Sequence, residues 1–295
     1  MFTYSVFGLT IASELECDGF LAGTGKPDVT LRYGIVPERL DAGAPQGVCY
    51  QALPGQFLLQ IKTIARYLVS NGDQILVDIM PGADLAAVGL FLQGAAFSAM
   101  LYQRGFLPFH GSAIATPRGA VVIAGPSGYG KSTLAAEFRR RGYAVLADEL
   151  CAARVGHEVE LLPANPTVML WADTLDHLEL DKASLRPARA NMEKYIVPLG
   201  SGFSCAPLRL HAVYSLDLTN LPQPALIPIT GLRKLRFLAQ ACYRPNFAES
   251  LQLSEPFFAA IAEVAPRVRM AEARRPRAGF RLRELADLIE GDFSV

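Results

Sequence analysis

Residues Gly125 to Thr133 read GPSGYGKST, and no other run constrains the chain as tightly. Gly125, Gly130, Lys131 and Ser132 fill every fixed position of the pattern G-x-x-x-x-G-K-[ST]. Glycines at these places let successive main-chain N–H groups turn inward as a nest for anions, and the helix that follows aims its positive end at the same point. The surroundings agree. Ala120 to Ala124 (AVVIA) suits a buried strand, and Ser132 to Arg141 has helix-forming composition with cations in its last turn. Gly142 supplies a stop, and Tyr143 to Ala147 reads as a second buried strand ending at Asp148 and Glu149. Ligands of open α/β sheets sit at such strand ends. The expectation is an α/β fold in which Gly125, Pro126, Ser127, Gly128, Tyr129, Gly130, Lys131, Ser132 and Thr133 hold a nucleoside triphosphate. Lys131 would reach the β- and γ-phosphates and the Ser132 hydroxyl would ligate Mg²⁺.

A chain of 295 residues, 51% hydrophobic, can bury a sizeable core in one large or two modest domains. Its 28 cationic and 28 anionic side chains cancel, which argues against nucleic acid and anionic membrane as partners. Five cysteines (17, 49, 151, 205 and 242) form no C-x-x-C pair and read as reduced thiols. The first residues lack a basic stretch ahead of their apolar ones, so a cytoplasmic location is expected. Leu85 to Leu101 is apolar and uncharged, but it falls short of the roughly 20 residues of a span. It contains Gly89, Gln93, Gly94 and Ser98 and follows a good N-cap, Asp84. A buried core helix is the expectation.

Phe2 to Leu9, Asp28 to Val36, Phe57 to Ile61 and Gln74 to Met80 read as strands, the last just after the turn chemistry of Asn71-Gly72-Asp73. Ile61 to Ser70 fits either a hairpin arm or a short helix. This lead-in holds no cluster resembling a catalytic site. After Leu150, Cys151 to Leu162 suits a hairpin, Val168 to Trp171 a strand, and Asp173 to Leu180 a helix. Lys182 to Met192 reads as a mobile loop near the phosphates. Tyr195 to Leu199 and Leu210 to Leu218 read as core strands, and Gly231 to Ala241 opens a helical region.

Three separated elements keep a common spacing: His110-Gly111-Ser112 before the AVVIA strand, the glycine-rich loop, and Asp148-Glu149 seventeen and eighteen residues after Lys131. Together they resemble the bacterial HPr kinase/phosphorylase family of P-loop serine kinases, most sharply from Phe109 to Leu150. The segments LPANPTVMLW, EKYIVPL and APLRLHAVYSL look more like the related kinases encoded beside lasso-peptide biosynthesis genes. The strand pattern and the helix after Asp84 give an N-terminal mostly β domain with a buried helix over 1–103, and the resemblance implies a P-loop kinase core of the HPr kinase type over 104–295. It further implies ATP and Mg²⁺ as cofactors, an acceptor serine in a peptide or protein partner, and a homo-oligomer by analogy. Carried over by position, His110 and Glu149 handle the acceptor's proton, Lys131 the phosphates, and Ser132 with Asp148 the metal. The family usually has two aspartates where this chain has Asp148-Glu149, and its glycine-rich signature after that pair has no counterpart here.

Other residues carry weaker signals. His157, His177 and His211 lack metal-ligand spacing and read as structural. Trp171 reads as core. The arginines from 267 to 283 read mainly as a solvated helix face, with a phosphate- or peptide-binding role as the alternative; Arg186, Arg189 and Lys194 share that alternative. Two further function classes stay open: a nucleotide-gated binding protein with little phosphotransfer, and a small-molecule kinase.

Overall fold

The structure, a computed structural model, describes every residue except those at 42, 45, 191, 278, 280 and 295. Its N-terminal part is an eight-stranded sheet. The strands are β1 (Phe2–Val6), β2 (Leu9–Ser13), β3 (Leu21–Ala22), β4 (Val29–Tyr33), β5 (Tyr50–Leu53), β6 (Gln56–Ile61), β7 (Ala65–Ser70) and β8 (Gln74–Ile79), in the order β3-β1-β2-β4-β8-β7-β6-β5. The expected strand Phe2 to Leu9 is in fact two. Phe7 and Gly8 stand at φ 54° and 66° and turn the chain back, the two-residue geometry that matches strand twist. A left-handed Phe costs about 1 kcal/mol. Burial offsets it: the Phe7 ring meets Phe97 edge-on at 6.1 Å, and its N–H donates to the Pro163 carbonyl at 2.7 Å. The ambiguous segment Ile61 to Ser70 is the second arm of a hairpin, with β7 alternating buried and half-buried side chains as a strand with one covered face must.

Asp84 caps the next helix, accepting from the Ala86 N–H at 3.0 Å. That helix runs through α1 (Leu85–Phe91), a π-helical turn (Leu92–Ala96) and α2 (Phe97–Gln103). By length and composition it could cross a membrane, yet 61% of its apolar window is buried inside the protein. It touches β6 and β7 on one side and β9 (Leu107–Thr116) on the other. One hydrophobic cluster therefore extends from Tyr4 in the first sheet through this helix to Met270 in the second.

The second large sheet carries the glycine-rich loop. Strand β10 (Gly119–Ala124) pairs antiparallel with β9, and α3 (Lys131–Arg140) follows the loop. The expected second strand is β11 (Val145–Ala147), which pairs with β9 rather than β10. β9 is thus inserted into what would otherwise be a simple strand–helix–strand unit. β12 (Leu150–Val155) takes the first half of β9, and β13 (Val159–Leu162) pairs with β12. A small sheet of β14 (Thr167–Trp171), β15 (Arg186–Pro187) and β16 (Lys194–Pro198) follows, with α4 (Ala172–His177) after β14. Strand β17 (Leu208–Thr219) lies parallel to β10 and to β19 (Arg269–Pro276), and β18 (Ala225–Pro228) pairs with β19. Helices α5 (Arg233–Ala241), α6 (Asn246–Ser250) and α7 (Ser254–Val264) precede β19, and α8 (Leu282–Ser294) packs on α3.

Three expectations are corrected. Arg269, Arg274 and Arg275 lie on strand β19 and only Arg283 on a helix, and Arg267, Arg269, Arg274 and Arg281 are each paired with a carboxylate. Trp171 is 42% exposed rather than core. The segment Lys182 to Met192 is tied to the N-terminal part: Arg186 pairs with Asp18, and the Ala190 N–H donates to Asp84 at 3.2 Å. Position 191 of that segment lies outside the described residues.

Candidate functional site

The glycine-rich loop leaves β10 at Gly125, whose φ is 138°. A Cβ there would stand 2.8 Å from the Leu216 carbonyl oxygen on β17, so only glycine lets the chain turn so close to its parallel neighbour. Gly128 and Gly130 are also left-handed, and Gly130 serves as the N-cap position of α3 without a capping side chain. The first N–H groups of that helix are therefore free for an anion. Lys131 is buried, and its ammonium donates to the Pro126 carbonyl of its own loop at 3.1 Å. Burial pulls its pKa below the ordinary value, against the raising effect of Glu149 and Asp148. The Thr133 hydroxyl is shared with Thr174 of α4 at 3.1 Å, fixing the helix start to the next element.

Asp148 and Glu149 form the corner between β11 and β12, both of which run beside β9. The corner therefore lies against His110, Gly111 and Ser112, and the Gly111 N–H donates to the Glu149 carbonyl at 3.3 Å. Asp148 accepts from three groups. Its Oδ1 takes the Ser112 hydroxyl at 2.5 Å and the Ser132 hydroxyl at 2.8 Å, and its Oδ2 takes the Met169 N–H at 2.8 Å. Burial and then the neighbouring Glu149 charge nevertheless raise its pKa.

Glu149 sits at φ 66°, an uncommon conformation for a residue with a Cβ and a costly one that recurs at functional sites. Its carboxylate forms an ion pair with Lys194 and lies 3.6 Å from His110 Nε2. Burial alone would raise its pKa; the His110 and Lys194 contacts outweigh burial and bring it to about 2. Lys194 stands opposite Trp171 in the small sheet, with its ammonium 5.9 Å from the centre of the indole. The His110 ring meets Tyr243 edge-on at 5.3 Å.

Every residue expected at the site thus falls on one end of the second sheet: His110 from β9, the loop from β10, and Asp148 and Glu149 from the β11–β12 corner. Sequence reasoning gave no role at the site to Ser112 and Met169, and gave Lys194 and Arg275 only an alternative phosphate- or peptide-binding one. Arg275, on β19, has its Nη1 3.6 Å from where a Gly130 Cβ would be, and its buried Nε has no hydrogen-bond partner. An anion held at the loop would give that atom a partner. The local sequence held no motif for these residues, although the cluster of arginines around 275 was a signal that one of them could face the loop.

The residues fit a nucleotide and a hard cation. Ser132 Oγ and Asp148 Oδ1 converge at 2.8 Å as oxygen donors, and the glycine nest, Lys131 and Arg275 surround the loop with positive charge.

Fold and side chains define a mixed α/β protein with a glycine-rich strand–loop–helix element and an acidic pair beside it. No protein-family profile and no curated protein sequence matches the chain. Among solved structures, that of the Hpr(Ser) kinase/phosphatase from Coxiella burnetii is similar over 63% of this chain and 95% of that one, at 11% identity and a TM-score of 0.33.

Proposed function

We propose that the protein is a P-loop phosphotransferase with a core of the HPr kinase kind, moving the γ-phosphoryl group of ATP to a serine hydroxyl of a peptide or protein. The observation that carries this reading is the hydrogen bond from the loop's Ser132 to Asp148 at 2.8 Å, beside a second carboxylate held by Lys194 and His110.

Mg²⁺, when bound, supplies the charge that neutralises the phosphate oxygens, and Ser132 and Asp148 are the residues that would hold it. Phosphoryl transfer asks a protein mainly for positioning and electrostatic stabilisation. The loop N–H groups and the start of α3 hold the phosphates. Lys131 exchanges the Pro126 carbonyl for a phosphate oxygen. The acceptor oxygen bonds to the γ-phosphorus as the bond to the bridging oxygen breaks, and the electron pair leaves with the diphosphate. The acceptor proton passes to Glu149. A carboxylate with a pKa of about 2 is a weak base. Lys194 therefore acts as a brake: when its ammonium turns towards the incoming negative charge, Glu149 loses a cation and gains proton affinity. Proton acceptance is then matched to the loaded site.

The same ion pair is the observation favouring a second reading, a nucleotide-gated binding protein whose Glu149 is locked and turns over little. Transfer of labelled γ-phosphate from ATP into an extract of the source organism separates the two. The kinase reading expects a discrete labelled peptide or protein that falls by about a hundredfold or more in Glu149→Gln while ATP binding persists. Label found only as free phosphate, or undiminished in Glu149→Gln, contradicts it.

A further inference from the structure

A cavity of about 600 Å³ opens beside the loop, within the size range of small-ligand sites. His110 and the first loop residues, Gly125 and Pro126, form one end of it. Lys131, whose role is to reach the β- and γ-phosphates, rests on the Pro126 carbonyl at 3.1 Å. The cavity therefore abuts the place where a γ-phosphoryl group and the proton-handling residues meet.

Its outer wall is α5. Arg233, Arg236 and Gln240 stand three and four residues apart, which puts them on one face of the helix, and all three are exposed and line the cavity. No carboxylate pairs with either guanidinium among the described residues. Arg233 also sits in the first helical turn, which holds no acidic residue, so its charge adds to the positive end of the helix instead of offsetting it. Nothing in the folding of α5 calls for this. The neighbouring Lys234 is accounted for by the Ala265 and Val268 carbonyls, at 3.0 and 2.7 Å. On the opposite wall, Glu272 is answered by Arg274 of its own strand at 3.1 Å, whereas the exposed Asp217 accepts only from the neutral Leu218 N–H at 2.8 Å and keeps its charge. Two unpaired cations on α5 thus stand against one unpaired carboxylate, and the excess charge of the cavity is positive.

We infer that this cavity seats the phosphoryl acceptor and that Arg233 and Arg236 bind an anionic group, a carboxylate or a phosphate, carried beside its hydroxyl. The inference rests on the phosphotransfer reading for the acceptor's role, while the anion site itself rests on the α5 wall alone. Guanidinium forks suit both anions, and such charge-assisted bonds favour the charged probe over its neutral counterpart by about tenfold or more.

The test uses three probes on the full chain: acetyl-Ser-Ala with a free carboxylate, the same dipeptide as its amide, and acetyl-Ser-phosphoserine amide. Calorimetric binding and transfer from γ-labelled ATP are both read. The expected result is about tenfold tighter binding of an anionic probe than of the amide, a ratio collapsing towards one in R233Q/R236Q and retained in R233K/R236K. The stronger of the two charged probes identifies the anion. Equal binding of charged and neutral probes, or a ratio unchanged in R233Q/R236Q, overturns the proposal; the latter would place a phosphate probe in the glycine-rich loop instead. An ATP titration keeps the two readings apart. Absent ATP binding with an arginine-dependent anion preference strikes the phosphotransfer reading alone, whereas ATP binding and transfer without that preference strike the acceptor assignment alone.

Discussion

At the residue scale, the site turns on the contrast between two adjacent carboxylates. Asp148 takes three donors and is pushed up by burial and by its neighbour, and Glu149 is pulled to about 2 by His110 and Lys194. Environments that drive two acids apart assign them different work. Lys194→Ala tests this assignment. Removing the cation lets the Glu149 pKa climb from about 2 towards its ordinary 4.5. Transfer needs the carboxylate deprotonated, so the acid limb of kcat/KM, which reports the unloaded protein, should lie higher in Lys194→Ala than in the parent, moving from near 2 towards 4.5. An unshifted pH–rate profile would remove Lys194 from control of Glu149. Legibility divides here as well. The loop and the acidic pair could be read because each is a local signal with its own backbone or chemical requirement, and His110 through its spacing to them and the resemblance that this spacing carries. Ser112 and Met169 could not, and Lys194 and Arg275 only as alternatives, because only the register of strands distant in sequence brings them to the loop.

At the element scale, α3 carries the anion cradle and must be held in place. Glu137, buried in α3, accepts from Arg140 at 2.9 Å and from Arg141 at 3.0 Å, and Arg141 reaches Glu290 and Asp287 of α8 at 2.6 and 2.7 Å. Burial would raise the Glu137 pKa, and the two arginines overcome it and hold it below the ordinary 4.5. A depressed folded value means stability that is complete above 4.5 and lost as pH falls through the folded pKa. Glu137→Gln should therefore destabilise by about 2 kcal/mol at pH 7, and its deficit should shrink as the pH falls below 4. Urea unfolding of both proteins at the two pH values checks this; a deficit independent of pH would show that packing alone is lost. Elements were legible where periodicity was clean, as for α3, α5 and β17. The Phe7-Gly8 turn was hidden because Phe is an unusual residue for a left-handed corner, so the alternation of β1 read straight on into β2.

At the scale of the whole molecule, β9 is the shared member. Its first half pairs with β12 and its second half with β10 and β11, and the central helix packs against it. His110 and Ser112 therefore stand where the ladders meet. Gly111 between them has no room for a side chain, since a Cβ would lie 2.6 Å from the Ile123 carbonyl oxygen on β10. Gly111→Ala should force β9 from β10 and cost about 2 kcal/mol or more, lowering the thermal midpoint and nucleotide affinity together. A midpoint unchanged in Gly111→Ala would mean that the junction is softer than its close packing implies. This arrangement was only partly legible. The strand, loop and helix were in the sequence, but the insertion of β9 between β10 and β11 depends on pairing energies summed over the sheet.

The central claim is that the glycine-rich loop and Asp148 form a Mg²⁺-dependent nucleotide site. Calorimetric titration of ATP, with and without Mg²⁺, into the parent protein, Lys131→Ala and Asp148→Asn tests it most directly. The account predicts saturable binding by the parent protein that strengthens with Mg²⁺, is lost in Lys131→Ala, and loses its Mg²⁺ dependence in Asp148→Asn. Absence of ATP binding by the parent protein, or binding undiminished in Lys131→Ala, would contradict it.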